Sequence, residues 1–330
     1  MSGVSGSIVT DLSRLTVVVL TYNSGDTIGE CLDSLASQRY QDFEVIIVDD
    51  DSVDETLTVV SEYSSRMKIT VARNGAHNIP RGRNIGISTA QTDIVAFLDS
   101  DDCAAPDWTQ VIMDAFRAHP DAVLIGGQLT PGYRTDVARA IAMNDDAIRR
   151  LFPSDLLHFS AGNSALNIKM LQGARYDEDF KFGEDLELAT RVMSLGARRY
   201  VPEMIITIHS RETFREYAKQ MYRYGFMKAW VSCAAGSFRW LDFVPLALLL
   251  GGVGASVALL TWWPLLLNIP FALAEAIFVA CFQRCPARVA VLTLPAWLVK
   301  NLSWSAGIGC GLVALAVDPD ARRIVSRMRR

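Results

Sequence analysis

A chain of 330 residues that is half hydrophobic yet 21% charged has room for one large or two medium domains with full cores. Its net charge of −4 averages two unlike regions and gives no reason to expect a nucleic-acid partner. The six cysteines show neither zinc-type pairing nor a disulfide framework, and the first fifteen residues are small and polar with no apolar core of a signal peptide.

In chain order, Leu15 to Leu20 (LTVVVL) reads as a buried strand ending in the polar Thr21-Tyr22-Asn23. Thr27 with Glu30 forms a capping-box pattern, followed by Ile28, Cys31, Leu32 and Leu35 at helical spacing. A second strand, Val45 to Val48, ends in Asp49-Asp50-Asp51. A helix is predicted from about Asp54, a strand over Lys68 to Ala72, a helix from about Gly82, and a strand over Ile94 to Leu98. Alternation of this kind points to a mostly parallel α/β sheet covered on both faces, with its ligands outside the carboxyl ends of the strands.

Those strand ends carry the chemistry. Asp99-Ser100-Asp101-Asp102 follows a strand directly. In an extended segment Asp99 and Asp101 point to one side, and paired carboxylates suit a hard cation such as Mg²⁺ or Mn²⁺. A solvated acidic turn is the plain reading of such a pair in isolation; the position at a strand end favours the metal. In the second acidic cluster, Asp54 is expected to cap the next helix, which leaves Asp49 and Asp50 available to a base or ribose. Arg81-Gly82-Arg83-Asn84 is predicted to open a helix, a natural diphosphate site. Gly183-Glu184-Asp185 starts another helix, over Leu186 to Leu195.

Together TVVVLTYNSGDTIGECLDSL, EVIIVDDDSVDET, RGRNIGISTAQTDIVAFLDSDD and FGEDLELATRVMSLG resemble, in this order, family 2 glycosyltransferases of the GT-A fold. The resemblance covers about residues 15 to 230, with Asp51 standing where that family usually has Gly or Asn. It implies a Rossmann-like GT-A domain and an inverting, metal-dependent transfer from a nucleotide-diphosphate sugar, a UDP-sugar foremost. Thr21, Tyr22, Asn23 and Asp50 would line the nucleoside pocket. Arg83 would approach base or diphosphate, Asp99 with Ser100 the ribose, and Asp101 the metal. Asp185 would be the general base supported by Glu184, and His209, after the strand Met204 to Ile208, a further metal ligand.

The last third is apolar. Phe243 to Trp263 runs 21 residues without a charge, Pro264 to Phe282 is interrupted only by Glu275, and Val289 to Val317 only by Lys300 and Asn301. A bilayer core of roughly 30 Å needs about 20 such residues. Ahead of them Arg211, Arg215, Lys219 and Arg223 recur every four residues among Phe214, Tyr217, Met221, Tyr224 and Met227, a pattern expected of an interfacial helix. Gln220 to Tyr224 looks like a variant of the QxxRW motif of membrane polysaccharide synthases, which places Gln220, Arg223 and Tyr224 near the acceptor or diphosphate. RETFREYAKQMYRYGFMKAW and NLSWSAGIGCGL are similar to the succinoglycan-biosynthesis subgroup, implying a lipid-linked saccharide acceptor.

The expected organisation is a flexible N-terminus (1–14), a catalytic domain (15–210), an interfacial helix (211–240), transmembrane or re-entrant helices (241–317) and a basic tail (318–330). The positive-inside rule puts the catalytic domain and tail on the cytoplasmic side of a multi-pass inner-membrane protein. Pro295, Lys300 and Asn301 break the third stretch into a re-entrant or interfacial helix pair. Two other readings compete: a polyprenyl-monophosphate sugar synthase, and a non-catalytic membrane scaffold retaining the fold.

Overall fold

A computed structural model describes residues 14–151, 160–180, 183–235, 243–247, 250–251, 273, 277 and 285–328. It divides into two units: Met1–Thr130 with Asp155–Ile208, and Pro131–Ser154 with His209–Arg330. The expected N-terminal tail lies outside the described residues, Arg14 excepted. So do most of the first two apolar stretches.

In the first unit, β1 (Leu15–Thr21), α1 (Ile28–Ala36), β2 (Phe43–Asp49), α2 (Thr56–Glu62), β3 (Ile69–Arg73), α3 (Ile79–Thr89) and β4 (Ile94–Asp99) alternate as the apolar runs require. There follow β5 (Cys103–Ala104), α4 (Trp108–Ala118), β6 (Ala122–Gly132), β7 (Asn163–Asn167), α6 (Glu184–Arg191) and β8 (Ala197–His209), with α5 (Asp136–Leu151) between β6 and β7. The sheet order is β3-β2-β1-β4-β7-β6-β8-β5. The first four strands are mutually parallel, whereas β7 runs antiparallel to β4 and β6, and β5 antiparallel to β8.

Strand β1 is a continuous apolar run because both of its faces are covered. Val17 and Val19 join Leu32, Leu35 and Trp108 on one side, while Val18 joins Ile87, Phe97 and Leu188 on the other. Pairing Thr21 with Asp49, and Leu20 with Asp99, brings three polar strand ends into one row. The antiparallel pairing of Leu98 with Asn163 adds the start of β7 beside them.

Two local expectations change. Thr27 makes no side-chain cap; its hydroxyl donates to Ser24 O at 3.4 Å, so the turn before α1 replaces the capping box. Helix α3 starts at Ile79 rather than Gly82, because Asn78 Oδ1 accepts from Arg81 N and Pro80 suits the first turn.

The second unit is helical: α5, α7 (Phe214–Ala235), α8 (Ala287–Val317) and α9 (Pro319–Met328). Residues 131–154, assigned by sequence to the catalytic domain, belong here. Asp145 on α5 accepts from both Tyr217 Oη and Lys300 Nζ at 2.7 Å, tying α5 to α7 and α8. The expected helix pair in 289–317 is instead one helix of 31 residues, about 46 Å long. Pro295 lies inside it, and the two polar residues expected to break it have partners: Lys300 in Asp145, and Asn301 Nδ2 in Trp297 O at 2.9 Å. Among the described residues it is the one helix long and apolar enough to cross a membrane.

Helix α7 also differs from expectation. Tyr217, Met221 and Met227 are buried within the helical unit rather than offered to a bilayer, while Arg211, Arg215, Lys219 and Arg223 are exposed. Glycines let the backbones of α7 and α8 touch: a Cβ on Gly225 would sit 2.3 Å from Trp304 O, and one on Gly307 2.1 Å from Tyr222 O. The basic tail forms α9, with Ala321 and Val325 buried.

Candidate active site

The loops after β1, β2 and β3 form one hydrogen-bonded unit. Asn23, in the left-handed region at φ 48°, accepts from Val53 N through Oδ1 and donates its own amide to Ser52 Oγ. Asp49, expected to be available to a ligand, is buried and accepts from Ser52 N and Oγ at 3.1 and 2.6 Å. Its role here is to shape the loop. Asp51 keeps the turn that Gly or Asn would make, at φ 63°, with both carboxylate oxygens held by Arg73 at 2.5 and 2.8 Å. Asp54, expected to cap α2, lies one residue ahead of its N-cap Glu55; it accepts from Gly25 N and Thr56 N, binding the start of α2 to the loop ahead of α1.

Asp50 Oδ1 accepts from Ala76 N and His77 N at 3.0 and 2.9 Å. That grip sets His77 against Tyr22, edge to face at 4.9 Å, with Tyr22 half exposed. Thr21 Oγ1 is buried and has no hydrogen-bond partner among the described residues. Tyr22, Asn23, Asp50 and His77 therefore gather at one mouth; His77 has no sequence signal beyond its position in a loop.

At the end of β4 the chain turns rather than running on extended, since Asp102 N donates to Asp99 O at 3.0 Å. The turn, not strand alternation, gathers the carboxylates, and it recruits Asp102 as well. Oxygens of Asp99, Asp101 and Asp102 all lie within 4.8 Å of one another. An all-carboxylate set at this spacing fits Mg²⁺ or Mn²⁺, whose ligand oxygens sit at about 2.0–2.1 Å for Mg²⁺. Ser100 Oγ is 2.8 Å from Ser24 Oγ, which fastens the turn to the loop after β1. Behind Asp99 lies Gly162, where any Cβ would come within 2.5 Å of Asp99 Oδ2. Asn163 holds that floor, accepting from Trp108 Nε1 and donating to Gln128 O and Met204 O. These supports come from distant segments and carry no local motif.

The third group forms at the start of α6, where Gly183 takes φ 71° as N-cap. Glu184 is buried and ion-pairs with Arg83 of α3, itself 5% exposed. The Arg83 guanidinium lies over the rings of Phe97 and Tyr176, at 6.0 and 5.4 Å. Burial works against its charge, but Glu184 outweighs that and holds the proton more firmly than usual. This charge, expected to approach the donor, is matched by Glu184 inside the protein. Asp185 beside it accepts from Leu186 N at 2.8 Å and Ala161 N at 3.4 Å. Burial first, and then Glu184, push its carboxyl up to about 6, with Arg83 pulling the other way.

The remaining sequence candidates fall in the other unit. His209 ends β8, and Gln220, Arg223 and Tyr224 lie on α7, where Gln220 Nε2 donates to Tyr224 Oη at 3.2 Å.

Residues 16–173, which contain the three acidic strand ends, match the family model for glycosyl transferase family 2. The chain carries a family 2 glycosyltransferase domain. It is similar to an uncharacterized glycosyltransferase of Haemophilus influenzae, 23% identical over 219 residues that cover 62% of this chain and 68% of the relative. A UDP-Glc:alpha-D-GlcNAc-diphosphoundecaprenol beta-1,3-glucosyltransferase of Escherichia coli is 33% identical over 91 residues, 28% of this chain and 36% of its own length. The chain thus spans only about a third of that relative. Among solved structures, a mannosyltransferase of Pyrobaculum calidifontis in complex with GDP-Man and Mn²⁺ has the same fold as this GT-A domain. Its TM-score is 0.55 at 18% identity, covering 94% of this chain and 90% of that one.

Proposed function

We propose that the protein transfers a sugar, with inversion, from a nucleotide diphosphate to a saccharide carried on a membrane lipid diphosphate. The observation that carries the reading is the pairing of a three-carboxylate cluster after β4 with a carboxyl at the start of α6 whose proton affinity lies near neutral pH. A base of that kind is suited to taking the proton of an attacking hydroxyl, a contribution of roughly 10²–10⁴ in rate. The acceptor oxygen bonds to the anomeric carbon as the bond to the phosphate oxygen breaks. The electron pair leaves on the nucleoside diphosphate, and Asp185 holds the proton.

Asp99, Asp101 and Asp102 would hold Mn²⁺ or Mg²⁺, which when bound offsets the charge developing on the departing diphosphate. Tyr22, Asn23 and Asp50 would shape the nucleoside end, with Thr21 behind them. His209 remains a candidate fourth ligand, and Gln220, Arg223 and Tyr224 candidates for the acceptor side.

The donor class is supported by the UDP-Glc and GDP-Man of the two relatives, with a UDP-sugar the first to try. The lipid-linked acceptor is supported by the diphosphoundecaprenol substrate of the Escherichia coli relative and by the apolar helix α8. With the exposed basic stripe of α7, that helix also supports an inner-membrane location with the catalytic unit on the cytoplasmic side.

The test is a screen of nucleotide sugars for leaving-group release in detergent, with and without Mn²⁺ or Mg²⁺, on the parent and Asp101→Ala. Metal-dependent release that Asp101→Ala abolishes is the expected outcome. Release indifferent to metal in the parent would sink the metal-dependent reading.

A further inference from the structure

We infer that Arg83 is a positioning residue that acts through Glu184 on the carboxylate of Asp185, and not a ligand of the sugar donor. The inference rests on Asp185 being the base of the proposed reaction.

Three observations carry it. Arg83 is 5% exposed, and its guanidinium packs beside Phe97 and Tyr176, whose rings meet edge to face at 5.9 Å, so little of it is open to a diphosphate. Its charge is matched by a buried carboxylate, Glu184, reached across 101 residues of sequence. Its Nε is buried with no hydrogen-bond partner among the described residues, so the Glu184 ion pair is the polar contact that fixes the guanidinium. Glu184 is also the first residue of α6 and directly precedes Asp185, so fixing Glu184 fixes the helix start from which Asp185 projects.

The electrostatics follow from the same arrangement. Asp185 is faced by Glu184 from α6 and Arg83 from α3, with Tyr176 from the preceding loop. Asp99 of β4 acts on Arg83 and Tyr176. Tyr176 is held protonated well above its ordinary range by burial, so it contributes no charge at neutral pH. Among the described residues, Glu184 and Arg83 are the charged groups that act on Asp185, and they act in opposite senses. With Arg83 paired to Glu184, its positive charge offsets part of the upward push on Asp185, which can lose its proton near pH 6. Without it, two adjacent buried carboxyls must share a proton, which raises the pH at which the second ionises.

Removing each partner singly therefore moves the acid limb of the kcat–pH profile in opposite directions, which structural damage does not do. In Arg83→Gln the limb shifts to higher pH, and the ratio of kcat at pH 8 to that at pH 6 rises. In Glu184→Gln the limb shifts to lower pH and that ratio falls, because a like charge is gone and Arg83 is released toward Asp185. Arg83→Lys keeps the charge and restores the position of the limb. Binding of UDP and of GDP with Mn²⁺, measured by calorimetry, stays within about twofold of the parent in Arg83→Gln.

A loss of nucleotide affinity in Arg83→Gln would make Arg83 a donor ligand and overturn the inference. So would limbs that move the same way or not at all. Should Arg83→Gln fail to fold, Glu184→Gln and Arg83→Lys decide alone: the first must shift downward and the second must not shift. Asp185→Asn, run in parallel, separates the two readings. If it retains transfer, the base assignment fails. If it abolishes transfer while the limbs stay fixed, only the role of Arg83 fails.

Discussion

Replacing Asp185 by Asn separates catalysis from stability. The folded protein raises the Asp185 carboxyl from 3.8 to about 6. A raised folded-state value means the native state binds the proton more tightly than the unfolded chain. Stability is therefore full below about pH 4, falls as pH rises toward 6, and stays lower above that. At 1.36 kcal/mol for each pH unit, the ionised carboxylate costs the fold about 3 kcal/mol at neutral pH. Asn removes this cost while keeping an oxygen for Leu186 N. Its amide cannot accept from Ala161 N, whose contact with Asp185 is 3.4 Å, a loss of about 1 kcal/mol. The variant should then be about 2 kcal/mol more stable than the parent at pH 7.5, and up to about 1 kcal/mol less stable at pH 4 and below. Thermal unfolding followed at both pH values measures this, beside transfer rate and donor affinity. Transfer should fall by roughly 10² or more with donor affinity little changed. Equal stability of the two proteins at pH 7.5 would refute the buried-charge argument, and loss of donor binding in parallel would remove Asp185 from the role of base.

Two further changes probe the supports. Gly162→Ala introduces a methyl 2.5 Å from Asp99 Oδ2, so the carboxylate must move out of its cluster. Mn²⁺ affinity, read by titration of the folded protein, should drop at least about tenfold, a cost near 1.4 kcal/mol; unchanged affinity would mean that Asp99 takes no part in the metal site. Lys300→Met leaves Asp145 with the Tyr217 hydroxyl as its remaining partner among the described residues, in a place where both charges are mostly shielded. Because neither side chain is fully buried, the loss should be about 2 kcal/mol, below the ~3–5 typical of a fully buried pair. Adding Asp145→Asn should recover much of it, and a double variant no more stable than Lys300→Met would refute the pairing argument.

The sequence by itself determined the parallel half of the sheet and the identity of its acidic ends. Runs such as LTVVVL and EVIIV are apolar without alternation, and only a strand covered on both faces allows that. The polar residues that end each run had nowhere to go but the carboxyl edge, and the register of Thr21, Asp49 and Asp99 follows from it. What each carboxylate does there was decided by tertiary structure. Asp49 and Asp50 stand side by side in sequence, yet one closes its own loop through Ser52 and the other grips the loop of Ala76 and His77. Arg83 looked like a surface cation at a helix start, and only the packing of α6 against α3 buries it on Glu184, 101 residues away.

The apolar last third shows the same division. Composition marked Val289 to Val317 as membrane-like, and Lys300, Asn301 and Pro295 as its interruptions. A local reading breaks a helix at such residues. The structure keeps it whole, because the charge of Lys300 is met by Asp145 from a helix that the sequence placed in another domain. Periodicity and loop chemistry are properties of neighbours along the chain, so the sequence carries them openly. A buried ion pair is a property of two distant segments, and its cost or benefit is set only when folding removes both from water.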